Sequence, residues 1–169
     1  KKMGMTVKKV RDTRIPRVFQ HKTADLRGGV GVVTSELGGD YLLEGTPLST
    51  PEKGSCHVIK TAEVVEQVES NGTEIKVKKF QHFKEGDFAM LTVGAKAVKV
   101  TKVDRTKDGF DTITLEEALG TTIKKGKHLL EAKEKSESNT SVLKHIPFAL
   151  VGTGKKIVPG DNIDTDAVV

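Results

Sequence analysis

The sequence contains no tryptophan, one tyrosine and six phenylalanines among 169 residues. Single-stranded nucleic acid stacks its bases on flat rings, so this scarcity argues against an aromatic stacking platform. Any core must instead be built from Val, Ile and Leu. There is one cysteine, Cys56. A lone thiol makes no internal disulfide and cannot anchor a zinc ribbon or an iron-sulfur cluster, so folding is expected not to depend on oxidation. No apolar run reaches the roughly 18 residues of a membrane-spanning helix. The opening stretch "KKMGMTVKK" lacks the hydrophobic segment of a signal peptide. Its first residue is Lys1, not Met, as expected if a few residues have been trimmed.

The composition that is present suits a globular chain of ordinary domain size. Hydrophobic residues make up 36% and charged residues 30%. The net charge of +5 is unevenly placed. Residues 1–22 carry eight basic side chains, including Lys8, Lys9, Arg11, Arg14 and Arg17, against the single acid Asp12. The remaining 20 basic and 22 acidic residues nearly cancel. Residues 1–40 therefore read as a basic, glycine-rich extended arm, and residues 41–169 as a β-rich body. Such an arm suits a sequence-neutral grip on nucleic acid. It suits equally an acidic protein surface, where charge steers encounter and sets register. A solvated tail is the plain alternative.

Two glycine motifs suggest nucleotide binding and fail. Gly28-Gly29-x-Gly31 begins like a dinucleotide fingerprint, but Val33 stands where a third glycine is needed and no βαβ unit follows. "VGTGKK", residues 151–156, would need a glycine at Ala149 and a hydroxyl at Lys156 to form a phosphate loop. Extended backbone bending at glycines is the simpler reading of "GGVGVVTSELGGDYLLEG".

Beyond residue 40 the apolar residues alternate. Ile75 and Val77, Val98 and Val100, and Ile113 and Leu115 each flank polar side chains, the period of half-buried strands. Ser70-Asn71-Gly72, Lys107-Asp108-Gly109 and Lys124-Lys125-Gly126 separate them as turns, with Asn-Gly and Asp-Gly expected to supply positive φ. The fold class that follows is mainly β, an antiparallel small barrel or sandwich. In "TAEVVEQVES", residues 61–70, Val64, Val65 and Val68 lie at helical spacing, and helix and strand stay equally open there. "KEKSESNTS", residues 133–141, is polar throughout and reads as an exposed loop and a place for partner contact.

One turn plan recurs. "LLEGTPLS", "FKEGDFAM", "IKKGKHLL" and "IVPGDNID" each place a glycine between short polar residues and a resumed run. The glycines are Gly45, Gly86, Gly126 and Gly160. Gly reverses the backbone, and the polar residue after it can bond into the turn before a strand enters the core. In "QHFKEGDFAML" this makes Gly86-Asp87 the start of a strand, with Phe88 or Ala89 and Met90 facing inward.

Catalytic patterns are weak. His21, His57, His82, His128 and His145 are scattered, with no spacing that would hold zinc on one helix, so no metal is expected. Cys56 and His57 are adjacent and on a strand would point to opposite faces, a poor nucleophile dyad. Asp161, Asp164 and Asp166 cluster near Gly160 without the spacing of a calcium loop, leaving a solvated acidic turn or a weak surface cation site. No catalytic residue and no cofactor are expected.

The order of "YLLEGTPLS", "CHVIKTAEVVE", "EIKVKKFQHFKEGDFAM" and "KAVKVTKVDRTKDGFDTITLEEALGTTIKKGKHLLEA" resembles the capsid decoration and head-fibre proteins of tailed bacteriophages, particularly phages of gut Bacteroidales. The likeness spans roughly residues 30–169 and rests on turn motifs. It implies a non-enzymatic virion protein on the outer surface of the head, made in the host cytoplasm. Its partner would be the major capsid protein, with other head or fibre proteins as further contacts. It also implies a homo-oligomer such as a trimer, although no heptad or collagen-like repeat is present. The chain ends in "TDAVV" as if a strand had been cut. In this reading Lys8, Lys9, Arg11, Arg14 and Arg17 form the capsid-binding arm. Ordering such an arm costs roughly 1–2 kcal/mol per residue, which repeated lattice sites could offset. The alternatives are a nucleic-acid-binding β-barrel gripping phosphate with that arm and, more distantly, a sugar- or polymer-modifying enzyme with a close carboxylate pair.

Overall fold

The structure, a computed structural model, describes residues 18–19, 24–26, 28–137, 140–158 and 162–169. The basic residues Lys8 to Arg17, and also Gly160 and Asp161, lie outside the described residues. Among the described residues every regular element is a strand, in agreement with the mainly antiparallel β class. In chain order these are β1 (Val30–Val32), β2 (Tyr41–Leu42), β3 (Pro47–Ser49), β4 (Ser55–Cys56), β5 (Thr61–Glu63), β6 (Glu74–Val77) and β7 (Phe88–Met90). They continue as β8 (Ala97–Asp104), β9 (Asp111–Leu115), β10 (His128–Ala132), β11 (Pro147–Val151), β12 (Lys155–Lys156), β13 (Ile163–Thr165) and β14 (Ala167–Val168).

The middle of the chain forms one six-stranded antiparallel sheet in the order β5-β10-β7-β8-β9-β6. Its two edges meet. Val64 pairs with Val77, Val65 N–H donates to the Lys76 carbonyl at 3.0 Å, and Lys78 N–H donates to the Glu63 carbonyl at 2.8 Å. The sheet thus closes into a small barrel, which leaves its edge strands few unpaired backbone groups. The interior holds Ala62, Val64, Ile75, Val77, Phe83, Ala89, Val98, Val100, Ile113, Leu115 and Leu129. Each fully buried Val, Leu, Ile or Phe contributes roughly 1.5–3 kcal/mol to folding.

The alternation of Ile75 with Lys76, Val98 with Lys99 and Ile113 with Thr114 is realised in β6, β8 and β9. The helical option for residues 61–70 is not taken. Val64 and Val68 instead make single antiparallel bridges to Val77 and Ile123. β-Branched side chains lose little in extended backbone, and pairing with β6 offers them more than an isolated helical turn could.

The two ends of the described chain form a second lobe. β1 pairs with β13 antiparallel and with β4 in parallel; β11 lies between β3 and β14; β12 pairs with β2. The lobe has its own core of Val32, Leu37, Leu42, Leu48, Cys56, Val58, Ala149, Val151, Ile157 and Ala167. Packed structure therefore begins by Val30, inside the stretch that glycine content had assigned to the arm. Gly38 and Gly39 serve close approach between the lobes. A β-carbon at Gly38 would stand 2.5 Å from the Phe83 carbonyl oxygen, and one at Gly39 would stand 2.8 Å from that of Gln81.

Three of the four recurring turns are described, and they share one geometry. Gly45, Gly86 and Gly126 have φ of 81°, 94° and 81°. The residue after each donates its N–H three residues back, Thr46 to Leu43, Asp87 to Lys84 and Lys127 to Lys124, each at 3.2 Å. This is the pattern of a type II turn with glycine at its third position. Each glycine N–H also reaches a neighbouring strand or loop, at Val151, Val100 and Val64 respectively. β3, β7 and β10 begin two residues later in every case.

The Asn-Gly and Asp-Gly turns differ from expectation, because neither Gly72 nor Gly109 adopts positive φ. Gly72 is needed for room instead: a β-carbon there would meet Val68 Cγ1 at 2.5 Å. The polar segment from Lys133 to Ser141 is partly tied down, with Ser136 bridged to Ala97 and Ser141 buried.

Candidate functional site at the lobe junction

β5 and β7 start, and β10 ends, at the same end of the barrel. Three charged residues close that end. Lys60, immediately before β5, is 1% exposed, as is Glu131 on β10. Glu131 shares a face with Leu129 two residues earlier, so strand alternation turns both inward. Asp87, in the turn before β7, is the third. Lys60 Nζ lies 2.6 Å from Asp87 Oδ2 and 3.1 Å from Glu131 Oε1. Asp87 Oδ2 also accepts the Lys84 N–H at 2.7 Å, so the turn aims its carboxylate at the lysine.

The ion pairs continue into the second lobe. Lys144 Nζ lies 3.0 Å from Glu131 Oε1 and 3.7 Å from Glu36 Oε2. The same Glu36 oxygen is 3.3 Å from His57 Nδ1 and 3.8 Å from His145 Nε2. The two imidazoles stack with centroids 4.5 Å apart and planes 8° from parallel. A line of alternating charge thus runs Asp87, Lys60, Glu131, Lys144, Glu36 and then the histidine pair. Buried charges need such partners, since an isolated one would cost several kcal/mol.

Ionisation follows from this setting. Burial alone would raise the Glu36 pKa, but Lys144 and the two histidines outweigh it and hold the carboxyl below its ordinary value. For Lys144 burial acts downward, and the hydrogen bond and charge of Glu131, with Glu36 and Asp87, leave the pKa raised. Burial, then the positive charges of His57 and Lys144, pushes His145 down. His82, packed on the barrel side of the junction, is pushed down to about 4 by burial and by Lys60 and Arg105.

The junction contains residues that sequence spacing did not connect. His57 and His145 are 88 positions apart, and Lys60 meets Asp87 and Glu131 only through strand register. The one local signal was Lys60 itself, a charge directly after the apolar pair Val58-Ile59. Cys56 is no nucleophile candidate here: it lies in the core of the second lobe, and burial raises its thiol pKa away from the reactive thiolate. Asp166 accepts a hydrogen bond from the Thr153 hydroxyl at 2.9 Å, and the Asp164 carbonyl accepts from Lys155 Nζ. Gly45, Gly86 and Gly126 all serve strand starts, and only the Gly86 turn contributes a side chain, Asp87, to the junction.

A second feature lies on the outside. In β11 the side chains of Ala149 and Val151 enter the core, so Phe148 and Leu150 face outward, at 39% and 38% exposure. Ile146 just ahead is 73% exposed. Leu150 stands opposite Val168 on one side and Pro47 on the other, which continues the apolar strip across the sheet.

Among the described residues no helix is long and apolar enough to cross a membrane. Comparison of the chain with protein-family models, with curated proteins and with solved structures finds no match.

Proposed function

We propose that this protein is a structural component of a tailed-bacteriophage virion. It binds the outer surface of the head on the major capsid protein lattice, and decorates or cements the capsid or bases a head fibre. The observation that carries the reading is the outward apolar strip of Ile146, Phe148 and Leu150 with Pro47 and Val168. Apolar side chains gathered in one exposed strip are the mark of a protein contact. The resemblance to head-decoration proteins supplies the class of partner. The basic residues Lys8, Lys9, Arg11, Arg14 and Arg17 add a charged segment for steering onto that lattice.

In this reading the protein is not an enzyme. The carboxylates Asp87 and Glu131 share the ammonium of Lys60, which uses them as a paired charge that fixes the lobe junction. Copies associate with one another on the lattice, and avidity from repeated sites offsets the cost of ordering each arm.

The experiment is co-sedimentation of the purified chain with phage heads, in parallel with a chain lacking residues 1–17. The full chain is expected to bind and the shortened one to bind weakly. Equal binding by both would remove the arm from the account. A salt-dependent shift of labelled DNA at physiological ionic strength, with no binding to heads, would favour the nucleic-acid-binding barrel instead.

A further inference from the structure

Glu36, His57 and His145 come from three separate segments: the loop after β1, the residue after β4 and the residue two before β11. One ligand atom from each lies within 4.8 Å of the others. His57 Nδ1 and His145 Nε2, both buried, approach the same Glu36 oxygen at 3.3 and 3.8 Å without a well-aligned hydrogen bond. A buried polar atom without a partner is costly, and native structures seldom leave two side by side. One cation between them would satisfy both lone pairs and the carboxylate together.

Charge points the same way. Three carboxylates, Asp87, Glu131 and Glu36, face two ammonium groups, Lys60 and Lys144, along the junction. The exposed Glu52 adds a further carboxylate 4.0 Å from His57 Nε2, so the surroundings of the two imidazoles favour a cation.

We propose that Glu36, His57 and His145 bind one divalent transition-metal ion of the zinc class. Two imidazoles and a carboxylate are a borderline-soft donor set suited to zinc, and three protein ligands leave a position for water. The rings are nearly parallel, so their lone pairs do not yet converge. Turning one imidazole about its outer torsion, which is broad and has no steep staggered wells, brings both nitrogens onto the ion. Lys144 stays with Glu131, the nearer of its two carboxylates, when Glu36 takes the metal. The ion would staple the loop after β1 to the segments flanking β4 and β11, on the second-lobe side of the junction.

Calorimetric titration of the chelator-treated full chain with zinc chloride near pH 7.5 tests this. One ion per chain is expected, with affinity at least about tenfold weaker in His57→Gln and in His145→Gln. His128→Gln, at an exposed position on β10, should bind as the native chain does. Co2+ absorption of the native chain is a readout that needs no variant: four-coordinate d–d bands are expected. Absence of zinc binding, weak octahedral cobalt bands, or unchanged affinity in a folded His57→Gln/His145→Gln double variant would overturn the site.

Discussion

Asp87, in the turn that starts β7, holds the ammonium of Lys60 at 2.6 Å across 27 positions of sequence. The pair joins a loop with no visible chemistry to a lysine that is almost wholly buried. Because Glu131 grips the same ammonium, Lys60 is the hub on which the end of the barrel closes.

Removing that hub leaves Asp87 without its ammonium and Glu131 with Lys144 alone, in a site that water reaches poorly. Lys60→Met is expected to lower stability by about 3–5 kcal/mol, the cost of uncovering buried partners. The Lys60→Met/Glu131→Gln double variant should lose less than the sum of the single losses, because the two residues act as one unit. Urea unfolding of the four proteins checks both statements, and additive losses would mean that the contacts are energetically independent.

The glycines separate into two physical kinds, and substitution should tell them apart. At Gly38 a β-carbon meets the Phe83 carbonyl at 2.5 Å, a backbone atom that cannot swing away. Gly38→Val should cost about 1–3 kcal/mol through crowding. At Gly86 nothing lies within 4 Å, and only φ of 94° opposes a side chain. Gly86→Ala should cost about 1–2 kcal/mol. Gly86→Asn should cost less, because Asn tolerates left-handed backbone. Gly38→Asn should give no such relief. Thermal unfolding of the four variants decides between strain and crowding at each place.

Acid should weaken the fold through His82. Its pKa falls from an ordinary 6.5 to about 4 in the folded chain, so the unfolded chain takes up a proton first. The stabilising contribution is complete above pH 6.5 and is lost as pH falls toward 4, about 3 kcal/mol in all. His145, also shifted downward, adds in the same direction. Urea midpoints measured from pH 7 to pH 4 should drop steeply for the native chain and less for His82→Leu. Parallel profiles would place the acid sensitivity elsewhere.

The outward strip on β11 should matter for binding and little for folding. Ile146→Ser changes a side chain that is 73% exposed, so stability should stay within about 0.5 kcal/mol of native, while Phe148→Ser, at 39% exposure, should lose about 1 kcal/mol. Affinity for phage heads should fall by about tenfold or more if these side chains anchor the contact. Unfolding curves and head co-sedimentation, run on the same preparations, separate the two effects.

Much of the barrel was legible in the sequence because its strands have one wet face. Lys76, Lys99 and Thr114 mark the outer sides of β6, β8 and β9, and their apolar neighbours mark the inside. The starts of β3, β7 and β10 were legible from Gly45, Gly86 and Gly126. The second lobe was not, because its strands are only two to five residues long and its sheets join segments from both ends of the chain. Too few side chains lie in each strand to show a period, and glycines that permit close packing look the same in sequence as glycines that permit flexibility. The charged junction was the least legible part. Lys60, Asp87 and Glu131 are brought together by the register of β10 against β5 and β7, and His57 meets His145 through a sheet that no local pattern announces.

The proposed role is binding to the outside of a phage head. Electron cryomicroscopy of heads mixed with the purified protein tests it directly. Density of the two-lobed chain is expected at repeated positions on the outer capsid lattice, with the β11 strip against the capsid protein. Bare heads at saturating protein, or protein found only on packaged or released DNA, would contradict it.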